Sequence, residues 1–170
     1  MEQVLSLDRK IVLSLAQFIT LLLIVCLAPM VNNQIITGTI INASLLVGVV
    51  LLGMRGAVLL CFLPSLISLM TGSLAMVMAP MVPFIIIGNV SLVYIFNLLR
   101  KRNYFLGLIP AALVKFSFLF LVSNFLISFF IKQPVADKIA VMMSYPQLIT
   151  ALMGGVVAYF VVVLNNKNNN

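Results

Sequence analysis

The chain has no histidine, and its only acids are Glu2, Asp8 and Asp137. Without an imidazole there is no base for a conventional serine triad. With so few metal-ligating groups, the composition argues against a haem, zinc or di-iron centre, and no cofactor is expected in this chain. No glycine-rich loop followed by Lys-Ser/Thr is present, so any energy from ATP would have to enter through partner subunits. Cysteine is scarce too: Cys26 and Cys61 both fall in apolar runs, where a free thiol packs as a small hydrophobe. Charged residues make up 8% of the chain, against about 25% in a typical soluble protein.

Apolar residues fill the space these absences leave. They account for 64% of 170 positions, where about 45–50% is usual. A soluble domain of this size could not hide that much apolar surface, so the excess is read as facing lipid. No stretch remains for a separate soluble domain. Residues 1–164 are therefore expected to form one membrane domain, and Asn165–Asn170 a disordered polar tail. The first apolar run is long for a signal peptide, and Pro29-Met30-Val31-Asn32 offers no Ala-x-Ala cleavage site.

Six runs are expected as transmembrane helices: Ile11–Leu27, Thr39–Met54, Ala57–Met70, Pro83–Leu99, Tyr104–Ile131 and Pro146–Leu164. Fusing Ile40–Met70 into one helix would place Arg55, between Gly53 and Gly56, in mid-membrane, so a turn is expected there. The net charge of +7 reads as topology signals and headgroup contacts rather than as a nucleic-acid surface. Arg9, Lys10, Arg55, Arg100, Lys101, Arg102 and Lys167 fall on one side of a six-helix arrangement, and only Lys132 and Lys138 on the other. The positive-inside rule then puts both termini in the cytoplasm. Three segments would face outward, about Ala28–Gly38, Thr71–Val82 and Lys132–Tyr145. The second is too apolar and too rich in Gly and Pro to lie open in lipid, so it should fold back over the bundle.

Lys115 is the sharpest single residue, near the middle of the fifth run. A lysine at a helix centre costs at least about 2.5–3.5 kcal/mol on insertion scales. It could meet an anionic ligand, pair with polar groups inside the bundle, or snorkel. Asn42, Asn89, Asn97 and Asn124 lie within or near the ends of apolar runs. Each could cross-link helices at about 0.6–2 kcal/mol. With Gln34, Thr37, Tyr145 and Gln147 they could also line a polar pocket for a small polar solute, which could be an anion. Small residues four apart (Ala16 and Thr20, Ala151 and Gly155, Gly154 and Ala158) mark close helix contacts, within the chain or to a partner.

Several segments resemble the substrate-binding S components of energy-coupling factor (ECF) transporters. They are Gln34-Ile-Ile-Thr-Gly-Thr-Ile-Ile-Asn-Ala43, Pro64-Ser-Leu-Ile-Ser-Leu-Met-Thr-Gly72, Pro83-Phe-Ile-Ile-Ile-Gly-Asn89, Ala112-Leu-Val-Lys-Phe116 and Pro146-Gln-Leu-Ile-Thr-Ala151. The resemblance implies an S-component-like bundle in a bacterial-type plasma membrane. It implies solute capture at the outer face, under the segments after helices one, three and five. It further implies docking on a membrane-embedded T component driven by two cytoplasmic ATPases. The docking surface would centre on Ala16 and Thr20, where the family more often has Ala-x-x-x-Ala, and the cargo would be a vitamin or related metabolite. The competing expectation is a non-transport scaffold or assembly subunit of another membrane complex, with Lys115 paired internally and no outer pocket. A small channel or intramembrane enzyme is a third, disfavoured by the missing His and intramembrane acids.

Overall fold

In lipid a chain must satisfy its own backbone polar groups, and a helix does so within one segment. The computed structural model describes residues 2–31, 33–72, 76–126 and 135–168. Among them every regular element is helical. The helices are α1 (Glu2–Leu27), α2 (Gln34–Leu51), α3 (Gly53–Met70), α4 (Val82–Leu99), α5 (Tyr104–Leu121), α6 (Val135–Met142) and α7 (Tyr145–Asn168). A 3-10 turn, Ala28–Val31, follows α1. A second 3-10 stretch, Met76–Met81, leads into α4, and a π-helical turn, Val122–Leu126, extends α5. Six segments, built on α1 to α5 and α7, are long and apolar enough to cross a membrane. Their outward faces agree with that reading: Leu13, Leu23, Leu98, Leu106, Phe160 and Leu164 are all exposed. Apolar surface on this scale is foreign to a soluble monomer.

Local chemistry sets the helix ends. Asn33 caps α2, its side-chain oxygen accepting from the N–H groups of Ile35 and Ile36 at 3.1 Å each. The second helix therefore starts at Gln34, ahead of the expected Thr39, and Gln34 and Thr37 become helical. Asn103 caps α5 in the same way, accepting from Phe105 and Leu106 at 2.9 and 3.3 Å. The break between α2 and α3 falls at Gly53, whose φ of +74° is the left-handed conformation that glycine adopts without a Cβ penalty. Arg55 thus sits in the first turn of α3 and not inside a fused helix. The fifth helix keeps α geometry to Leu121 and continues as the π turn to Leu126; the rest of its expected span to Ile131, and Lys132, lie outside the described residues. The third segment expected to face outward holds a short helix, α6. A further boundary differs: α7 runs to Asn168, carrying regular structure into the stretch expected to be a disordered tail.

Side-chain burial divides the bundle into layers. The larger apolar core joins Leu45, Leu46, Leu60, Leu92, Phe96 and Leu108, toward the end where Arg55 and Arg100 lie. A smaller cluster at the opposite end joins Met78, Met81, Leu119, Val122, Ile139 and Met143. Helices α2 and α7 approach very closely between them. A Cβ on Gly154 would lie 2.8 Å from Ala43 N, 2.8 Å from Asn42 Cβ and 2.9 Å from Thr39 O. The Gly154 and Ala158 pair, with Ala151 and Gly155, is therefore internal packing. Ala16 and Thr20 differ: both are exposed on α1, and the Thr20 hydroxyl donates to the Ala16 carbonyl at 2.9 Å.

Gly154→Ala places a methyl against backbone, which cannot swing aside as a side chain can. We expect a loss of about 1–3 kcal/mol, read as a lowered Tm of the detergent-purified protein. Ala16→Val, on the exposed face of α1, should leave Tm unchanged; equal Tm for both variants would show that α2 and α7 are not in this contact.

Candidate functional site

Helix direction brings the polar residues to one level. Asn42 lies eight residues into α2, Asn89 seven into α4 and Thr150 five into α7, while Lys115 lies six before the end of α5. At about 1.5 Å per residue these offsets correspond to similar depths, roughly 8–12 Å from the end marked by Gln34 and Tyr145. They form a polar layer between the two apolar clusters.

Lys115 is 2% exposed. Its ammonium donates to Asn42 Oδ1 at 2.6 Å and to Asn89 Oδ1 at 2.8 Å, so α5 is joined to α2 and α4 through one cation. Asn42 Nδ2 donates to Thr150 Oγ1 at 3.3 Å, and the Thr150 hydroxyl donates to Gln147 O at 3.2 Å, which brings in α7. Four helices thus share one hydrogen-bonded relay. An ammonium has three N–H donors, and two of them are placed on these amides. Of the three expectations for Lys115, snorkelling is overturned: the side chain points into the bundle because two fixed amide oxygens solvate it there.

Above the layer lies a cavity of about 310 Å³, at the small end of the ~300–1,000 Å³ range of ligand pockets. Lys115, Asn89, Asn42 and Ser65 lie deep in it, and it opens past Gln34, Thr37 and Gln147. Among the described residues, Lys115 is the only charged one that lines it. Met78, Ile85, Met142, Met143, Pro29 and Pro64 supply apolar wall. Met78 and Met142–Met143 belong to the second and third segments expected to face outward, and their side chains lie against the cavity.

The glutamines fasten this cover. Gln34 Nε2 donates to the Met142 carbonyl at 2.8 Å, and Gln147 Nε2 reaches the same oxygen at 3.5 Å. That oxygen ends α6, where helical carbonyls lack intrahelical partners. The Thr37 hydroxyl donates to Ala28 O at 3.0 Å, tying the first turn down. Among the residues expected to bind solute, Lys115, Asn89, Asn42, Gln34, Thr37 and Gln147 line the cavity. Tyr145, 62% exposed, and Asn124 do not; Asn124 Nδ2 donates to Phe120 O within its own helix. Asn97 lies at the other end, where its Oδ1 accepts from Arg100 Nε at 3.3 Å. Arg100 also donates to Val49 O at 3.4 Å, near the last turn of α2.

Residue-by-residue reading missed Thr150 and Ser65. Both are hydroxyls inside apolar helices, and the criterion that singled out the asparagines would have found them. The methionines of the cover carry no such signal, because loops bring them there. Compared with known proteins, the chain matches no family model, no curated protein and no solved structure.

Replacing Asn42 with Leu removes one acceptor from the buried ammonium and the donor to Thr150. We expect a loss of about 1–3 kcal/mol in unfolding free energy. The Thr150→Val loss should be smaller and, in the double variant, not additive with it. Additive losses would mean that the relay is not one unit.

Proposed function

We propose that this chain is the solute-binding subunit of an importer of the energy-coupling factor type, working in a bacterial-type plasma membrane. The observation that carries the reading is the partly covered cavity at the end of the bundle opposite Arg55 and Arg100, with one buried cation at its floor. With the basic turns in the cytoplasm, both termini lie inside and the cavity faces outward. A vitamin-sized metabolite enters from outside, beneath the segments that bear Met78 and Met142. The membrane-embedded T component and its two ATPases then drive release to the cytoplasm; ATP is used only by these partners. The exposed Ala16 and Thr20 face of α1 supports partner docking, since small side chains let a second helix approach closely.

The scaffold alternative draws support from one feature, the internal pairing of Lys115. It does not account for a cavity walled by apolar side chains directly above that pairing.

Purification from native membranes in mild detergent should recover the chain with a T component and two ATPases. Mass spectrometry of the denatured preparation should then release a small metabolite. Ala16→Leu should reduce T-component recovery several-fold while the released metabolite persists. A preparation with neither partner nor metabolite would refute the proposal.

A further inference from the structure

The floor of the cavity has a donor surplus. Lys115 uses two N–H groups on Asn42 and Asn89, which leaves a third. The Asn89 oxygen is occupied by Lys115, and among the described residues no partner takes the hydrogens of Asn89 Nδ2. The Ser65 hydroxyl is likewise without a protein partner among the described residues, although Ser65 is only 6% exposed and lines the cavity. All three can donate, and neither Ser65 Oγ nor Asn89 Nδ2 is sealed from the cavity, since among the described residues Thr39 Oγ1 alone is a buried side-chain atom without a partner. Among the described residues no carboxylate lines the cavity, so none of them offers the cation a counter-charge there.

These observations call for an anion with two acceptor oxygens. One cation balances one negative charge; a phosphate carrying a second would leave it uncompensated in a wall that is otherwise amide, hydroxyl and hydrocarbon. The apolar lining lies between the floor and the mouth. Methionine side chains fill irregular gaps and favour aromatic edges through sulfur, so Met78, Met142 and Met143 suit a compact apolar body. Resting on the solute-binding reading above, we propose that the cavity binds a small monocarboxylate head-down. Lys115 Nζ, Asn89 Nδ2 and Ser65 Oγ hold the carboxylate, and the methionines enclose the body.

The test uses the full chain in detergent, stripped of endogenous ligand. It is incubated with a mixture of small straight-chain, benzoic, phenylacetic and heteroaromatic monocarboxylates together with their primary amides. Retained molecules are identified by mass spectrometry and their Kd measured by calorimetry. At least one acid should be retained, with its amide bound about 10- to 100-fold more weakly. Lys115→Met should weaken the acid by a similar factor. Ser65→Ala, whose hydroxyl serves no internal bond, should fold normally and weaken it about 3- to 10-fold; this variant decides the matter if Lys115→Met does not fold. The proposal is overturned if no acid is retained, if acid and amide bind equally, or if Ser65→Ala leaves affinity unchanged. Retention from a native metabolite extract of neutral or cationic solutes alone would overturn it while leaving the transport reading intact. Failure to retain any small molecule would remove both.

Discussion

The structure depends on how a single ammonium is solvated in the middle of a helix bundle. Lys115 is placed where lipid would charge at least about 2.5–3.5 kcal/mol against it. The chain meets that cost with amide oxygens and not with an acid. A carboxylate partner would neutralise the charge and close the site. Two amides instead satisfy two N–H donors and leave the net positive charge in place. Because the amides sit on α2 and α4, the solvation of one side chain fixes three helices at one level. The bond from Asn42 to Thr150 extends that registration to α7. The close approach at Gly154 is part of the same constraint, since a 3.3 Å bond between α2 and α7 needs their backbones nearly in contact.

The layering follows from where this polar plane falls. Below it, toward Arg55 and Arg100, packing is leucine, alanine and Phe96, rigid and close. Above it, three of the six buried residues in the cluster are methionines, and most of the cluster lies on short helical segments. Met tolerates changes in shape that Leu and Ile do not. The half of the molecule that would admit and enclose a solute on the proposed reading therefore carries adaptable side chains. The half that would receive partner subunits on the proposed topology is built from stiff ones. Gln34, Thr37 and Gln147 use side-chain donors on backbone carbonyls of the covering segments, so the cover is tied by a few hydrogen bonds at part-buried positions.

Much of the architecture was legible because membrane helices are written in long runs. The six spans, the turn at Arg55 and the importance of Lys115 come from hydropathy and from one charge out of place. Helix ends were less legible. The α2 start depended on a cap at Asn33, a local hydrogen bond that hydropathy does not see; Thr39, the expected start, is simply the first residue after the Thr-Gly pair. Asn124 and Asn42 look equivalent in sequence, both asparagines in apolar surroundings. What separates them is azimuth on the helix and the presence of a facing cation, neither of which a linear pattern carries. Ser65 was open to the same reading as the asparagines, but a hydroxyl is the weaker signal, since in a helix it more often donates to its own backbone, as Ser68 does to Pro64 O at 2.6 Å.

Ser68 and Ser65 sit side by side in opposite conditions, and the contrast bears on binding. Ser68 has satisfied its hydroxyl locally and asks nothing of a ligand. Ser65 has not, and with Asn89 Nδ2 and the third N–H of Lys115 it leaves the floor with donors already held in place by helix packing. On the proposed reading, a carboxylate arriving there meets groups that need not reorganise. The ammonium keeps both amide bonds and adds a third partner, and its desolvation has already been borne in folding. Preorganised donors of this kind raise affinity by lowering what must be ordered on binding. They also sharpen selectivity, because a ligand without the matching acceptors leaves the donors buried and unpaired. The cost that Lys115 imposes on the fold and the discrimination it offers to a solute are thus two consequences of one arrangement: a cation solvated well enough to be tolerated, and not so completely as to be neutralised.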